Sequence, residues 1–226
     1  MSLLVKYEDF VDRVDELGFM AFSHLMPGFP SLTEETLSEA WHTGDNNTDP
    51  WCWKDRAAEE KKLAYGCILG GNKGFVSARM YPFFYAAFHP LDTMYEQWED
   101  GVLKQTTWRL WQLFERRHSL DTGSIRYEMG VTKKKGGSLV DSSIQELQRE
   151  FYITIAGNRR KIDKYGKPYG WPACVYERVL DWAPEDWMKN FSDLELEEAQ
   201  EYILDTCTAI GKNLNRNELA KKLRLL

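Results

Sequence analysis

The segment from Ser138 to Phe151 carries two separate helical stripes, and this constrains the fold more than any other stretch of the chain. Four apolar residues recur at i, i+4, i+7 and i+11: Val140, Ile144, Leu147 and Phe151. Four polar residues show the same spacing on the opposite face: Ser138, Ser142, Gln145 and Arg149. Because residues three and four apart share one face of a helix, the spacing predicts a helix with one buried and one polar face.

This helix lies inside a longer pattern that runs from Thr107 to Trp182. Thr107 is expected to cap the start of the first helix in this pattern, and Asp121 and Thr122 are expected to cap the start of the second. A strand is predicted directly after the two-faced helix, followed by a basic turn at 157–161 and a returning strand at 174–180. Three helices followed by a two-stranded ribbon are the arrangement of a winged helix-turn-helix.

The polar face has the chemistry of a helix that reads a DNA groove. Short hydroxyls permit close approach, glutamine pairs with adenine, and arginine pairs with guanine or phosphate. The predicted nucleic-acid contacts are Lys133, Lys134, Lys135, Ser138, Ser142, Gln145, Arg149, Arg159, Arg160 and Lys161. Two alternatives remain open: an ordinary surface helix with a solvated polar face, and a winged helix that contacts protein.

The distribution of charge favours a local nucleic-acid surface over a generally basic protein. The whole chain has a formal net charge of −6. Between Val131 and Lys161, however, seven basic residues face three acidic ones, a local net charge of +4. DNA is therefore the predicted partner, through one part of the surface.

The remaining pattern predicts an α+β protein that is mainly helical. Residues 1–102 are expected to form an N-terminal subdomain of helices and a β-hairpin, with strands at 63–69 and 75–80, packed against the winged helix. The apolar stretch Phe19–Pro30 is expected to be a packed loop. Residues 103–184 form the predicted winged-helix subdomain, and 185–226 are expected to add C-terminal helices.

A second candidate site lies between His42 and Arg56. Asp55 follows Trp51 and Trp53, which together could supply an aromatic slot and a catalytic carboxylate that guides water. The predicted pocket comprises His42, Trp51, Trp53, Arg79, Tyr81 and Tyr85. The alternatives are a tryptophan-rich core with a surface ion pair, and a site for a small-molecule enzyme or sensor.

Several classes of function find no support in the sequence. The four cysteines and four histidines match no zinc framework, so neither a metal nor another cofactor is expected. No apolar stretch is long enough to span a membrane, and no signal peptide is recognised. The expected location is therefore the cytoplasm.

The chain resembles a known family in the segments around the predicted ribbon. These are Leu147-x-x-Glu150 leading into Phe151–Thr154, then Tyr176–Arg178 and Asp181–Pro184. They are similar to AlkZ-related proteins of the AlkZ (YcaQ) winged-helix DNA glycosylase superfamily. The glycosylases of that superfamily excise alkylated or crosslinked bases, using tandem winged helices, a β-barrel and a catalytic Gln-x-Gln motif.

The resemblance implies a DNA partner and a role in DNA repair. This sequence contains no Gln-x-Gln, since Gln145 and Gln148 are three residues apart. The 226 residues of this chain are also fewer than tandem winged helices and a β-barrel require. No catalytic glutamine is therefore carried over, and the resemblance bears on DNA binding more than on catalysis.

Overall fold

The computed structural model describes residues 3–132, 134–189, 193–211 and 213–225, and it is an α+β structure with two small antiparallel sheets. Helices α1 to α4 span Tyr7–Leu17, Pro50–Glu59, Tyr81–Phe88 and Met94–Glu99. Strands β1 to β3 span Phe19–Ala21, Leu63–Leu69 and Asn72–Ser77. Helices α5 to α8 span Gln105–Arg116, Thr122–Glu128, Gly137–Arg149 and Val179–Trp182. Strands β4 to β6 span Ser119–Asp121, Ile153–Arg159 and Ala173–Arg178, and helices α9 and α10 span Leu196–Ile210 and Arg216–Leu223.

The first sheet contains the predicted hairpin and one strand that the sequence did not reveal. Its order is β1-β3-β2, with Phe19 paired to Val76. The expectation of a loop at Phe19–Pro30 is wrong for its first three residues, which form β1. All three are buried, so β1 lacks the alternation of apolar and polar residues by which a strand is recognised.

The second sheet has the order β4-β6-β5, and helices α5, α6 and α7 precede its two longer strands. Strand β4 connects α5 to α6, and Asp121 at its end accepts hydrogen bonds from the backbone N–H groups of Gly123 and Ser124. This confirms Asp121 as the cap of α6. The register of β5 against β6 shifts between Ile155 and Gly157, which places a bulge in the middle of β5.

The apolar stripe of α7 is buried as its spacing predicts. Val140 and Leu147 are almost fully enclosed, and they belong to a core cluster that also contains Phe10 from α1 and Trp53 from α2. Side chains from both halves of the chain therefore share one core. In the part of the chain that the structure describes, no helix is sufficiently long and apolar to cross a membrane.

Thr107 has a different role from the predicted one. Helix α5 begins at Gln105, with Lys104 as its cap, so Thr107 lies in the first turn and is completely buried. Its hydroxyl donates to Glu146 Oε2 of α7 over 2.7 Å and lies 3.0 Å from Ser143 Oγ. A buried hydroxyl requires a hydrogen-bond partner, and packing against α7 supplies one.

Candidate nucleic-acid interface and its cavity

Residues 159–172, here called the ribbon tip, comprise the last residue of β5 and the loop to β6, and they combine basic and aromatic side chains. Its cationic residues are exposed: Arg159, Arg160, Lys161, Lys164 and Lys167. Three aromatic rings are exposed beside them, namely Tyr165, Tyr169 and Trp171, and Trp171 is 61% exposed. Cations can contact phosphates, and exposed rings can stack on bases, so both parts of a nucleic acid find suitable groups here.

The ribbon tip is an ordered turn. The backbone N–H of Tyr169 donates to the carbonyl of Lys161, and the N–H of Asp163 donates to the carbonyl of Lys167. The Asp163 carboxylate accepts from the N–H groups of Tyr165 and Lys167. The five cationic residues outnumber Asp163, the one acidic residue of residues 159–172, so this segment is positively charged, and Arg159 within it pairs with Asp121 over 2.9 Å.

The structure divides the polar face of α7 into two parts. Ser138 and Ser142 are exposed, as are Lys134 and Lys135 in the preceding loop, whereas Lys133 lies outside the described residues. Gln145 donates through Nε2 to the carbonyl of Gly71 over 3.0 Å. Arg149 pairs with Glu150 at 2.5 Å. Ser138, Ser142 and Gln145 are thus exposed, although Gln145 also bonds to the turn between β2 and β3, and Arg149 is half-buried.

A cavity of about 350 Å³ lies between α2 and the ribbon tip. Its lining includes His42, Trp51, Asp55, Asn158, Arg160 and Trp171. The ribbon tip therefore contributes one wall of the cavity, and α2 with its preceding loop contributes the other. The volume falls within the range of cavities that accept small organic groups, which is roughly 300–1,000 Å³.

Three rings form the aromatic wall of this cavity. The His42 and Trp51 ring centroids are 5.0 Å apart, and Trp171 lies 5.6 Å from His42 and 5.8 Å from Trp51. His42 adopts a left-handed backbone conformation with φ of 64°. Trp171 is both exposed on the ribbon tip and part of the cavity wall, so a group stacked on it would also reach the cavity.

Asp49 holds the loop around His42 in place. This fully buried carboxylate accepts hydrogen bonds from the backbone N–H groups of His42, Gly44 and Trp51. It also caps α2, which begins with Pro50 at its first position. Burial, together with the nearby Asp49 carboxylate, raises the pKa of the Cys52 thiol to about 11. The raised pKa favours the neutral thiol of Cys52 over the thiolate.

Asp55 is one of the charged residues that line the cavity. Its side chain is almost completely buried, and its Oδ2 accepts from Lys54 Nζ over 2.6 Å and from Asn158 Nδ2 over 3.1 Å. Among the described residues its Oδ1 has no hydrogen-bond partner. An unpartnered buried carboxylate oxygen is costly, so a ligand or water that donates a hydrogen bond to it would be stabilised.

Lys54 is held next to this carboxylate by two aromatic rings. Its Nζ lies 4.4 Å from the centroid of Trp51 and 5.9 Å from that of Tyr65. The faces of aromatic rings attract cations, so this arrangement offsets part of the cost of removing the ammonium group from water. Lys54 and Asp55 are thus buried side by side, and Asp55 is the member of the pair that lines the cavity.

The predicted pocket is only partly assembled in the structure. His42, Trp51 and Asp55 line the cavity, whereas Trp53, Arg79, Tyr81 and Tyr85 do not. Trp51 and Asp55 are four residues apart and share a face of α2, but Trp53 is about 200° further around the helix and points into the core. There its indole N–H donates to the carbonyl of Asn47.

Arg79 and the two tyrosines serve other parts of the molecule. The Arg79 guanidinium donates to the carbonyls of Asp15 and Glu16, at the end of α1. Tyr81 and Tyr85 are buried in the core around Phe151 and Trp182. These three residues follow the hairpin closely in the sequence, but they do not line the cavity.

The sequence did not reveal Asn158 as a hydrogen-bond partner of Asp55 or Trp171 as part of the cavity wall. Asn158 follows Gly157 in the bulge of β5, and Gly157 packs so closely on α2 that a Cβ would lie 2.3 Å from Glu59 Cγ. The Asn158 N–H also donates to Glu59 Oε1. The one local signal was Gly157, since a glycine inside a strand often marks a bulge or a close approach.

Comparison with known proteins relates nearly the whole chain to a family. A family model described as AlkZ related matches residues 4–224. Neither the curated proteins nor the solved structures include a match.

Proposed function

Because the chain belongs to the AlkZ-related family, we propose that it binds DNA and that its cavity receives a base that has left the duplex stack. The order α5-β4-α6-α7-β5-β6, with sheet order β4-β6-β5, supports the interpretation of residues 103–184 as a winged helix. The domain boundaries predicted near residues 102 and 184 are part of this proposal.

The observation that carries the proposal is the shared wall between the basic ribbon tip and the cavity. Arg160 and Trp171 are exposed on the ribbon tip and also line the cavity beside Asp55. DNA lying along the ribbon tip would have its phosphates near Arg160 and its bases near the aromatic wall.

The cavity contains the groups that recognise a nucleobase. Every base has a planar face, and Trp51, His42 and Trp171 offer rings for stacking. Every base also has a hydrogen-bonding edge, and the unpartnered Asp55 Oδ1 can accept from an exocyclic amino group or a ring N–H. Unpaired and damaged bases leave the stack at the lowest cost, which links this cavity to DNA repair.

Hydrolysis of the base from its sugar would depend on Asp55. No Gln-x-Gln is present, and Asp55 is the buried cavity carboxylate with an oxygen to spare among the described residues. A carboxylate in that position can hold a water molecule and accept its proton. Asn158 and Lys54 would fix the orientation of the carboxylate through its other oxygen.

The proposal is tested with a duplex that carries a single unpaired or alkylated base. The wild-type protein is expected to bind it more tightly than the matched intact duplex, by fluorescence anisotropy. Trp171→Ala should remove most of this preference, because stacking on one ring contributes about 1–3 kcal/mol. Tyr127→Ala is the matched control, since Tyr127 is an exposed ring on α6 that does not line the cavity.

Equal binding of the two duplexes by the wild-type protein would contradict the base-recognition part of the proposal. Release of the alkylated base is measured in the same samples. If the wild-type protein releases it and Asp55→Asn does not, Asp55 acts on the reaction. If neither releases it, the function is recognition without excision.

A further inference from the structure

A second cavity, here called the basic cleft, lies where three distant parts of the chain meet. It has a volume of about 440 Å³ and lies between the β2–β3 turn, α7 and the end of α10. Five cationic residues line it, from four different elements or loops: Lys104, Arg149, Lys221, Lys222 and Arg224. Among the described lining residues Glu146 is the one acidic group, so these residues together carry a net charge of +4 in a chain of −6.

The floor of the basic cleft is fixed by direct backbone contacts. Asn72 Nδ2 donates to the carbonyls of Leu69 and Lys222, and Gln145 Nε2 donates to the carbonyl of Gly71. Gly70 packs so tightly against α10 that a Cβ would lie 2.1 Å from the carbonyl oxygen of Leu223. The turn therefore holds the end of α10 next to α7.

Three of the five cations in the cleft have no acidic partner among the described residues. Lys104 Nζ lies 3.8 Å from Glu146 Oε1, and Arg149 pairs with Glu150. Within the described ranges, no carboxylate lies within 4.0 Å of a charged nitrogen of Lys221, Lys222 or Arg224. Three cations grouped together repel one another, and a bound anion would remove that repulsion.

We propose that the basic cleft binds a phosphate-bearing anion. Lys221, Lys222 and Arg224 would supply most of the charge, and Ser142 would donate a hydroxyl hydrogen bond from α7. Charge-assisted hydrogen bonds of this type are the strong ones, and an arginine fork matches two oxygens of one phosphate. The cleft shares no lining residue with the ribbon tip or the cavity beside Asp55, but Ser142, Gln145 and Arg149 are among the predicted nucleic-acid contacts. A free anion bound here goes beyond the proposed function, whereas a nucleic-acid backbone bound here would deepen it.

The cleft is suited to phosphate alone and not to a base. None of the described residues that line it is aromatic, and most of them are polar or charged. A nucleic-acid strand would therefore be held by its backbone, without regard to sequence. The same chemistry fits a free polyphosphate, so the anion can come from either source.

The test uses inorganic tripolyphosphate and a 20-base-pair duplex as separate probes. The variant Lys221→Glu, Lys222→Glu, Arg224→Glu reverses the charge of the cleft. The matched control Lys6→Glu, Lys61→Glu, Lys62→Glu makes the same change of net charge at exposed lysines outside it. An alanine version of the cleft variant replaces the glutamate version if circular dichroism shows that the latter does not fold.

We expect wild type to bind at least one probe, and the cleft variant to bind that probe at least about tenfold more weakly, a loss of roughly 1.4 kcal/mol. The control should bind it within about twofold of wild type. If the cleft variant loses affinity for tripolyphosphate alone, the cleft binds a free anion. If it loses affinity for the duplex, the cleft binds a nucleic-acid backbone. Either result supports the inference.

The inference is overturned if the cleft variant and the control bind both probes equally, or if wild type binds neither. A variant of the ribbon tip distinguishes failure of this inference from failure of the proposed DNA binding. The result to look for is that Arg160→Glu with Lys161→Glu weakens binding of the duplex, while the cleft variant binds both probes as wild type does. The ribbon tip then binds DNA and the basic cleft has no phosphate site.

Discussion

At the scale of single residues, the enclosed pair of Lys54 and Asp55 is the most consequential feature of the cavity. Both side chains are almost completely buried, and Lys54 Nζ lies 2.6 Å from Asp55 Oδ2. Removing two charges from water is costly, and their attraction repays that cost only while both are present. Such a pair is a weak source of stability, which suggests that it is retained for what Asp55 does in the cavity.

Removal of one partner should therefore destabilise the fold strongly. Lys54→Met leaves the Asp55 carboxylate buried without its counter-charge, so we expect the free energy of unfolding to fall by about 3 kcal/mol. The measurement is urea unfolding. The double variant Lys54→Met with Asp55→Leu should recover much of the loss, and a single variant within about 1 kcal/mol of wild type would contradict the account.

His89 makes a second residue-scale prediction, which concerns pH. Its Nδ1 donates to the carbonyl of Glu150, and its ring contacts those of Tyr85 and Tyr152. Burial lowers the pKa of His89 below its ordinary value of 6.5. The unfolded chain therefore takes up a proton near pH 6.5 that the folded protein does not.

Stability should thus fall as the pH is lowered through 6.5. In wild type, this residue makes the free energy of unfolding decrease between about pH 7 and pH 5. We expect His89→Gln to decrease less over the same window, because glutamine does not titrate. Parallel pH profiles of the two proteins, measured by urea unfolding, would show that His89 is not the cause.

At the scale of elements, the β2–β3 turn connects the first sheet to α7 and α10. Gly70 has φ of 60° and lies against the backbone of Leu223. Gly101 has φ of 70°, but a Cβ there would meet nothing within 4 Å. The two glycines therefore share a backbone conformation and differ in packing.

Their alanine variants separate these two effects. Gly101→Ala should lose about 1 kcal/mol of stability from its left-handed backbone alone. Gly70→Ala should lose clearly more, because its Cβ would clash with a carbonyl oxygen that cannot rotate away. Thermal unfolding of the two variants gives the comparison, and equal losses would mean that the turn is not packed on α10 as described.

Most helices could be predicted from sequence because their signals are local. The stripe on α7 and the hairpin of β2 and β3 each depend on residues close in the chain, and both are confirmed. Strand β1 could not be recognised, since it has three buried residues and no alternation. Threonine is a common capping residue, but the Thr107 hydroxyl instead donates a hydrogen bond to Glu146 on α7.

The candidate site could be predicted only where its residues share one element. Trp51 and Asp55 lie four apart on α2, so their shared face followed from the helix period. Asn158 bonds to Asp55 from 103 positions away, through a bulge that no spacing rule places. Arg79 and the tyrosines Tyr81 and Tyr85 illustrate the opposite error, in which nearness in sequence was taken for nearness in space.

At the scale of the whole molecule, the distribution of charge matters more than its sum. The chain carries −6, yet the ribbon tip and the basic cleft each gather cations in one place. An acidic remainder would repel DNA from the rest of the surface and leave these patches as the sites of contact. The proposed DNA interface is therefore small and strongly dependent on salt.

The most direct test of the central proposal is the salt dependence of duplex binding by a ribbon-tip variant. Arg160→Glu, Lys161→Glu, Lys164→Glu is compared with wild type and with Lys6→Glu, Lys61→Glu, Lys62→Glu, which has the same net charge. The slope of log K against log salt should become shallower by about 0.9 for each phosphate that the variant no longer neutralises, and affinity should fall in the ribbon-tip variant alone. Identical slopes and affinities in the two variants would contradict DNA binding through the ribbon.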